Sequence, residues 1–284
     1  MTNILLSVVS WTARLLPMQV KRQLYQYGAL TRWLRGGLNR LAPEGKTTVT
    51  VSSGGLAGMQ LSLDLQSEKD YWLGTYEPEL QSSIEDKVSE GLVVYDIGAN
   101  IGYFSLLLAR KVGQTGCVFA FEALPANIQR LRTNVELNNL GSRVKIVPVA
   151  VIERERSARF GIGPSGAMGK VEGSAGRDSV IYSKTISVEG ISLDEYVYKR
   201  GNPPPQVVKM DIEGGEVLAL SGMQRVLDEA KPVIFLEIHG PDAAELCWNI
   251  LKAADYRVCS LQPGYPTITS PQEIDWKANI VAIP

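Results

Sequence analysis

An acid and three small residues at regular spacing mark one turn in the middle of the chain. Asp96 ends a run of apolar residues, and Gly98, Asn100 and Gly102 follow it. Glycine allows a tight turn and the close approach of a ligand or of a packed helix. The spacing is not the GxGxxG of nicotinamide-binding proteins, and a carboxylate here would repel a pyrophosphate. We therefore expect Asp96 to face the ammonium group of an amino-acid-bearing cofactor.

A second carboxylate, Glu122, lies 26 residues after Asp96 and follows the next apolar run. In dinucleotide-type folds, an acid at the end of the second strand accepts hydrogen bonds from the hydroxyls of a ribose. An acid for an ammonium group and an acid for a ribose together describe S-adenosylmethionine. The pair of acids is a more specific indication than the turn alone.

Three further polar residues follow two later apolar runs. Asp211 lies at the end of one run, and Glu237 and His239 lie at the end of the next. Ligands of doubly wound sheets bind beyond the carboxyl ends of the strands. We therefore expect Asp211, Glu237 and His239 to converge near the group that reacts.

Two charged neighbours of Asp211 have less specific interpretations. Lys209 lies within the same run and either pairs with one of the acids or has a structural role. Glu216 is interpreted as an acid that stabilises the N-terminus of the following helix.

The elements that position these residues are predicted from the apolar runs. Short apolar runs are typical of strands that are buried on both faces, and helical segments between such strands indicate an α/β sheet. Two more runs near the end predict closing strands that pair as a hairpin. The chain is therefore predicted to form an α/β, doubly wound sheet of seven strands. The predicted strands are Leu92–Ile97, Cys117–Phe121, Val144–Val151, Val207–Ile212, Val233–Ile238, Tyr256–Leu261 and Ala278–Ile283. The predicted helices between them are Tyr103–Val112, Ala126–Asn139, Glu216–Ala230 and Pro241–Asp255.

The segments before this region differ in character from it. Residues 1–45 are predicted to form a basic helical arm, residues 46–75 a β-hairpin extension, and residues 76–284 the catalytic domain. Residues 1–43 carry six basic and no acidic residues, whereas the rest of the chain has a net charge of −7. The apolar residues of the arm either pack on the core or leave a basic amphipathic surface for anionic lipid.

One long connection, residues 152–206, interrupts the alternation. Glycines punctuate its first half, and no helical period extends through it. It is predicted to contain an extra strand at Thr185–Val188 and a short helix at Leu193–Tyr198. Such an insertion is interpreted as a lid or substrate loop, with a surface loop of no function as the alternative. Its polar residues suit a sugar better than an apolar ring: Arg177, Asp178, Ser179, Tyr182 and Lys184.

The motifs in their order resemble the FkbM family of class I methyltransferases. The resemblance covers about residues 70–284 and excludes the arm and the glycine-rich insertion. It implies a Rossmann-like fold and transfer of a methyl group from S-adenosylmethionine to a hydroxyl of a sugar or natural product. The motifs that carry it are residues 74–78 (GTYEP), 96–105 (DIGANIGYFS), 121–123 (FEA), 208–216 (VKMDIEGGE) and 236–239 (LEIH).

The resemblance also implies which residues bind the cofactor. The glycine turn would line its methionine end, Glu122 would hold the ribose, and two residues after the third strand would flank the adenine. Tyr76 and Glu77 would close the pocket. The complete predicted set is Tyr76, Glu77, Asp96, Gly98, Ala99, Asn100, Gly102, Glu122, Ala123, Ala150, Val151 and Asp211.

The catalytic residues are predicted from the needs of the reaction. Methyl transfer from a sulfonium requires an aligned oxygen, and a base that removes the hydroxyl proton contributes ~10²–10⁴-fold. We predict His239 as this base, with Asp211 or Glu237 orienting it or the substrate. No metal site is assigned. One alternative is a divalent metal held by these three residues; others are a non-catalytic cofactor-binding scaffold and, disfavoured by the missing GxGxxG, a nicotinamide dehydrogenase.

Composition limits the remaining choices. Hydrophobic residues make up 45% of the chain and charged residues 21%, which is typical of a soluble globular protein. The formal net charge of −1 argues against a nucleic-acid partner, and a single histidine excludes a site with two histidine ligands. Three cysteines without a CxxC pair fit a reducing, cytoplasmic location, with membrane contact through the arm and homodimer formation left open.

Overall fold

The computed structural model describes residues 45–163, 169–174, 184–275 and 277–284. The predicted arm therefore lies outside the described residues, as do residues 177–179 and Tyr182 of the insertion. The chain divides into two units, residues 1–81 and 82–284. Among the helices of the described ranges, none is both long enough and apolar enough to cross a membrane.

The described part of the first unit is built on a hairpin, as the alternating sequence predicts. Strands β1 (Lys46–Thr50) and β2 (Gln60–Asp64) pair antiparallel, and Leu61 and Leu63 of β2 point their side chains into the core. Helix α1 (Lys69–Leu73) follows, and helix α2 (Pro78–Lys87) begins in this unit. The alternation places every second side chain of β2 on the apolar face.

The second unit contains a sheet of seven strands in the order β12-β13-β11-β10-β3-β4-β5. Five consecutive strands of this sheet are parallel: β11, β10, β3, β4 and β5. Strand β13 pairs antiparallel with both β11 and β12. This confirms the predicted seven-stranded α/β sheet and its closing hairpin. The strands are β3 (Val93–Ile97), β4 (Cys117–Phe121), β5 (Val144–Val147), β10 (Val207–Met210), β11 (Val233–Glu237), β12 (Arg257–Ser260) and β13 (Asn279–Ile283).

The helices of this unit lie near the predicted positions. They are α3 (Tyr103–Lys111), α4 (Pro125–Leu137), α5 (Glu216–Ser221) and α6 (Pro241–Ala253). The core contains aromatic and aliphatic side chains of the central strands, such as Tyr95, Phe119 and Phe235, each at most 1% exposed. Burial on both faces explains why these strands read as continuous apolar runs rather than as alternating ones.

Two predicted elements are shorter than their apolar patterns. The run Val144–Val151 was wrong as one strand, because β5 ends at Val147 before Pro148, which has no N–H for a sheet ladder. The helix Glu216–Ala230 was also wrong as one element, since α5 ends at Ser221, just before Gly222, and a separate π-helical segment, Val226–Ala230, follows. A Cβ at Gly222 would lie 2.3 Å from the carbonyl oxygen of Ile152, so the chain turns where two segments meet closely.

The insertion forms a second sheet, which was not predicted from the sequence. Its four strands are β6 (Ala150–Val151), β7 (Arg156–Ile162), β8 (Gly169–Val171) and β9 (Lys184–Ile191), in the order β6-β9-β7-β8. Strand β9 includes the predicted Thr185–Val188 but is longer, and the predicted helix Leu193–Tyr198 is a π-helical turn at Glu195–Lys199. The described part of the insertion is thus a small sheet rather than a loop.

Candidate active site

The predicted polar residues of the second unit meet at one edge of the main sheet. Strands β11, β10, β3 and β4 are parallel neighbours, so their carboxyl ends lie side by side. Asp96 lies in β3, Glu122 follows β4, Asp211 follows β10, and Glu237 ends β11. The topology therefore brings together residues that are up to 141 positions apart in the sequence.

Gly98 is needed in the turn after β3 because of its backbone conformation and because another backbone segment lies against it. Its φ of 78° is left-handed, and a Cβ there would lie 1.9 Å from the carbonyl oxygen of Asp211. The N–H groups of Gly98 and Ala99 both donate to the carbonyl oxygen of Phe121, at 3.0 and 2.9 Å. The close approach expected for a ligand is made here by the chain that leaves β10.

Gly102 allows the close approach of a packed helix. A Cβ on this residue, whose φ is 93°, would lie 2.5 Å from Cδ1 of Leu131. Leu131 belongs to α4 and is completely buried. Gly102 therefore allows α4 to pack closely against the start of α3.

Asn100 and Glu122 form the part of the site best suited to a polar ligand. Asn100 has a φ of 50°, which asparagine tolerates, and its N–H donates to Oε2 of Glu122 at 2.8 Å. The N–H of Leu124 donates to Oε1 of the same carboxylate at 2.8 Å. The side-chain oxygen of Asn100 is buried and has no hydrogen-bonding partner within the described residues.

These features fit the ribose and methionine ends of S-adenosylmethionine. The Glu122 carboxylate accepts from the backbone N–H groups of Asn100 and Leu124, and Ala123 and Asn127 add further hydrogen bonds. These donors hold it in one position, from which an ionised carboxylate could also accept from ribose hydroxyls. Burial raises the pKa of Glu122, and the N–H groups of Leu124 and Asn100 oppose that rise by stabilising the charged form. The buried oxygen of Asn100 offers an acceptor that a bound ligand can satisfy.

Asp96 is enclosed by protein groups. Its carboxylate is 0% exposed, accepts a hydrogen bond from the Ser105 hydroxyl at 2.5 Å, and has Oδ1 3.6 Å from Nζ of Lys209. Burial raises the pKa of Asp96, and the charge of Lys209 and the Ser105 hydroxyl oppose that rise. The predicted contact of Asp96 with an ammonium group stays a prediction, while its contact with the ammonium of Lys209 is observed.

Lys209 also approaches a second acid. Its Nζ lies 3.8 Å from Oδ2 of Asp211 and 5.2 Å from the centre of the Phe104 ring. The choice left open by the sequence is therefore decided in favour of pairing with acids. Lys209 lies between the acid of the glycine turn and the acid of the next strand end.

His239 is surrounded by carboxylates, and this includes two that the sequence analysis had not placed there. Its Nε2 lies 3.5 Å from Oε1 of Glu237, 3.7 Å from Oε2 of Glu213 and 3.8 Å from Oδ1 of Asp211. Its Nδ1 lies 3.0 Å from Oε1 of Glu216. The predicted convergence of Asp211, Glu237 and His239 is therefore found in the structure.

Glu216 is the functional candidate whose position sequence reasoning missed. Its side chain is 0% exposed, and the same Oε1 accepts the N–H of Gly214 at 3.0 Å and that of Ile212 at 3.3 Å. The carboxylate thus holds the loop after β10 and the ring of His239 together. No local sequence signal could have found this position, because the burial of Glu216 and its contact with His239 arise only in the folded chain.

The carboxylates determine the charge of His239. Burial by itself would lower the pKa of this imidazole, but the hydrogen bond and charge of Glu216, with the charges of Asp211 and Glu213, raise it to about 9. The surroundings therefore favour a positive charge on the ring. One atom each of Asp211, Glu237 and His239 can be chosen so that all three lie within 4.8 Å of one another.

Comparison with known proteins agrees with this arrangement of motifs. The model of the methyltransferase FkbM domain family matches residues 96–258, which is more than half of the chain. The chain belongs to the FkbM methyltransferase family. The matched range includes every candidate residue of the main sheet, from Asp96 to His239.

One relative of this FkbM-family chain is the hexuronic acid methyltransferase AglP of Haloferax volcanii. The two are 32% identical over 158 residues, which cover 54% of this chain and 59% of AglP. The chain therefore matches less than two thirds of the length of that relative.

Two solved structures also resemble it. The FkbM methyltransferase of Methylobacillus flagellatus is 20% identical, with a TM-score of 0.47, over 77% of this chain and 53% of that one. An S-adenosylmethionine-dependent O-methyltransferase of Thermotoga maritima is 16% identical, with a TM-score of 0.42, over 72% of this chain and 64% of that one.

The remaining predicted cofactor residues of the FkbM-family chain fall into two groups. Ala123 and Ala150 belong to one buried apolar cluster, and Val151 belongs to the core cluster that contains Phe121. Their predicted contact with the cofactor stays a prediction. Tyr76 and Glu77 lie in the first unit, where the carbonyl oxygen of Tyr76 accepts from the Gln81 amide and Glu77 has a φ of 43°.

Proposed function

We propose that this protein is an S-adenosylmethionine-dependent O-methyltransferase that acts on a hydroxyl of a sugar or glycan. The observation that carries the proposal is the adjacency of two groups of residues at one sheet edge. Asn100 and Glu122 form a polar site that fits the cofactor, and the His239 cluster follows the neighbouring strands. Membership of the FkbM family supports the methyl transfer.

The chemistry requires alignment and the loss of one proton. S-Adenosylmethionine supplies a methyl group on a sulfonium, and in the transfer a C–O bond forms while the S–C bond breaks and its electron pair stays on sulfur. Glu122 and Asn100 would hold the cofactor, with Glu122 accepting from the ribose hydroxyls. Holding both reactants in line is the larger part of the catalysis, because the neutral thioether formed from the sulfonium leaves without assistance.

The cluster around His239 is proposed to remove the proton of the acceptor hydroxyl. In the version predicted from sequence, Nε2 of His239 accepts this proton, and Glu216 orients the ring through Nδ1. The absence of a hydrogen-bonding partner for Nε2 among the described residues supports that role. A pKa of about 9 opposes it, since a ring that is protonated at neutral pH must lose that proton before it can accept another.

The sugar acceptor is proposed from two sources. AglP, the relative described above, is a hexuronic acid methyltransferase by name. The insertion sheet of this chain presents polar, exposed side chains on β7 and β9, including Ser157, Arg159 and Glu189. Polar side chains with both donors and acceptors suit the hydroxyls of a sugar.

The proposal is tested with labelled cofactor and a panel of acceptors. Calorimetry should show binding of S-adenosylmethionine and not of NAD. Methyl transfer should then be detected with hexuronic acids, neutral hexoses or glycans that contain them.

His239→Ala should lower turnover at least 100-fold while the affinity for S-adenosylmethionine changes little. Cofactor binding without turnover on any acceptor would favour the non-catalytic scaffold, and NAD binding would overturn the proposal.

A further inference from the structure

A buried nitrogen with no hydrogen-bonding partner is the feature that the proposed reaction leaves unexplained. His239 is 1% exposed, and within the described residues its Nε2 makes no hydrogen bond. The atom faces carboxylate oxygens of three residues at 3.5 to 3.8 Å, too far for hydrogen bonds of normal length. A buried polar atom in such a position needs a ligand.

Glu216 determines which ring nitrogen of His239 carries the hydrogen and which has a lone pair that can bind a ligand. Its Oε1 accepts two backbone N–H groups and therefore acts as an acceptor toward Nδ1 of His239 as well. Nδ1 carries the hydrogen in this arrangement, and the lone pair of the neutral ring is on Nε2. A carboxylate behind a histidine is the usual support for a histidine that binds a metal ion.

The charges around Nε2 favour a cation. Four carboxylates approach the ring, those of Asp211, Glu213, Glu216 and Glu237. Two lysines approach from the sides: Lys209 is 3.8 Å from Asp211 but also pairs with Asp96, and Lys277 is 3.7 Å from Glu237. The Lys277 side chain is 43% exposed, so its ammonium group can move to solvent when another cation binds Glu237.

We propose that Asp211, Glu237 and His239 bind one divalent cation, with Nε2 of His239 and one oxygen of each carboxylate as the ligands. Ligand atoms of these types lie ~2.0–2.2 Å from an ion, and two of them on one ion are therefore roughly 3–4.4 Å apart. The observed separations of 3.5 and 3.8 Å from Nε2 to Glu237 and Asp211 fall in that range. Two carboxylates with one imidazole suit Mn²⁺.

Binding of the ion does not depend on the proposed methyl transfer, but its role in the reaction rests on that proposal. With Nε2 bound to the ion, His239 is a ligand rather than the base. The positive charge would lower the pKa of an acceptor hydroxyl placed beside it, so that at neutral pH the hydroxyl would pass its proton to solvent water. Glu216 then acts as a positioning residue through its hydrogen bond to Nδ1.

Direct binding of Mn²⁺ tests the site without reference to activity. The full chain is treated with EDTA, exchanged into metal-free buffer and titrated with Mn²⁺, and free Mn²⁺ is measured by electron paramagnetic resonance. We expect one tight site per chain and at least a tenfold loss of affinity in Asp211→Asn and in Glu237→Gln. Glu216→Gln, which changes no ligand, should weaken binding about 10–100-fold.

Matched controls on α6 separate a site from general charge effects. Asp242→Asn and Glu245→Gln remove exposed carboxylates of the helix that follows His239 and should leave the affinity unchanged. Circular dichroism of each variant confirms that it is folded. Equal affinity in wild-type, Asp211→Asn and Glu237→Gln chains, or no tight binding in the wild type, would overturn the inference.

Two further measurements keep this inference distinct from the proposed function. Calorimetry with S-adenosylmethionine on the same EDTA-treated samples reports the cofactor site alone, so failure there with intact Mn²⁺ binding counts against the proposed function only. Methyl transfer is then measured before and after EDTA. Loss that Mn²⁺ restores supports the catalytic role of the ion, whereas full activity after EDTA overturns that role and returns His239 to the role of base.

Discussion

Lys209 and Asp96 occupy paired positions on the neighbouring parallel strands β10 and β3, and both side chains are buried. Nζ of Lys209 lies 3.6 Å from Oδ1 of Asp96, and the same ammonium lies 3.8 Å from Asp211. One buried cation therefore connects the acid of the glycine turn with an acid of the His239 cluster. The same buried ion pair therefore affects the stability of the sheet and the positions of the glycine turn and the His239 cluster.

Replacing that cation should destabilise the protein. Lys209→Met keeps much of the side-chain volume but leaves Asp96 buried without its ion-pair partner, which typically costs about 3–5 kcal/mol. We expect a matching decrease in the free energy of unfolding, measured by urea denaturation. Lys145→Met, which removes an exposed lysine of β5 in the same sheet, is the control and should change stability by less than about 1 kcal/mol. Similar effects of the two changes would show that the buried pair is not stabilising.

Glu122 should contribute to cofactor affinity through its charge. Glu122→Gln keeps the shape of the side chain but replaces the charged carboxylate that is proposed to accept from ribose hydroxyls by a neutral amide. Hydrogen bonds to charged groups are worth about 1.5–3 kcal/mol, so calorimetry should show roughly a 10–100-fold weaker Kd for S-adenosylmethionine. Glu136→Gln, at an exposed position of α4, should leave the Kd unchanged. An unchanged Kd for Glu122→Gln would remove this residue from the cofactor site.

Gly98 should not tolerate any side chain. A methyl group at this residue would lie 1.9 Å from the carbonyl oxygen of Asp211, and the φ of 78° is unfavourable for alanine. We expect Gly98→Ala to lower the free energy of unfolding by about 3 kcal/mol or to prevent folding. Gly141→Ala is the matched control, because no atom lies within 4 Å of a Cβ at that position. A stable Gly98→Ala chain with normal cofactor affinity would contradict the close contact between the two turns.

The basic arm is predicted from sequence either to pack on the core or a second subunit, or to bind anionic surfaces, and the second role can be tested directly. Residues 1–43 contain six basic and no acidic residues, and each basic residue near an anionic membrane contributes about 1 kcal/mol. Deletion of residues 1–43 should therefore reduce co-sedimentation with vesicles that contain phosphatidylserine. Vesicles of phosphatidylcholine alone are the control. If the deletion changes neither vesicle binding, stability nor oligomeric state, the arm has none of the roles that its composition suggests.

Local sequence pattern was sufficient to predict the strands of the main sheet and the candidate site residues that lie at their ends. Apolar runs of five to eight residues predicted all seven strands of the main sheet, because strands buried on both faces consist mostly of apolar residues. The ends of those strands placed Glu122, Asp211 and Glu237 on one edge. This follows from topology, since parallel neighbours must end together. The break at Pro148 was also present in the sequence, in a residue that cannot continue a strand.

Contacts between segments could be decided only by the tertiary structure. Glu216 is 23 residues from His239, and no local pattern indicates that α5 begins beside the end of β11. The same reason applies to Lys209, whose partner depends on the register of β10 against β3. The sequence by itself determined which residue types stand at the strand ends. The packed structure decided which atoms meet there, because distances between segments depend on strand order, register and close backbone approach at residues such as Gly98.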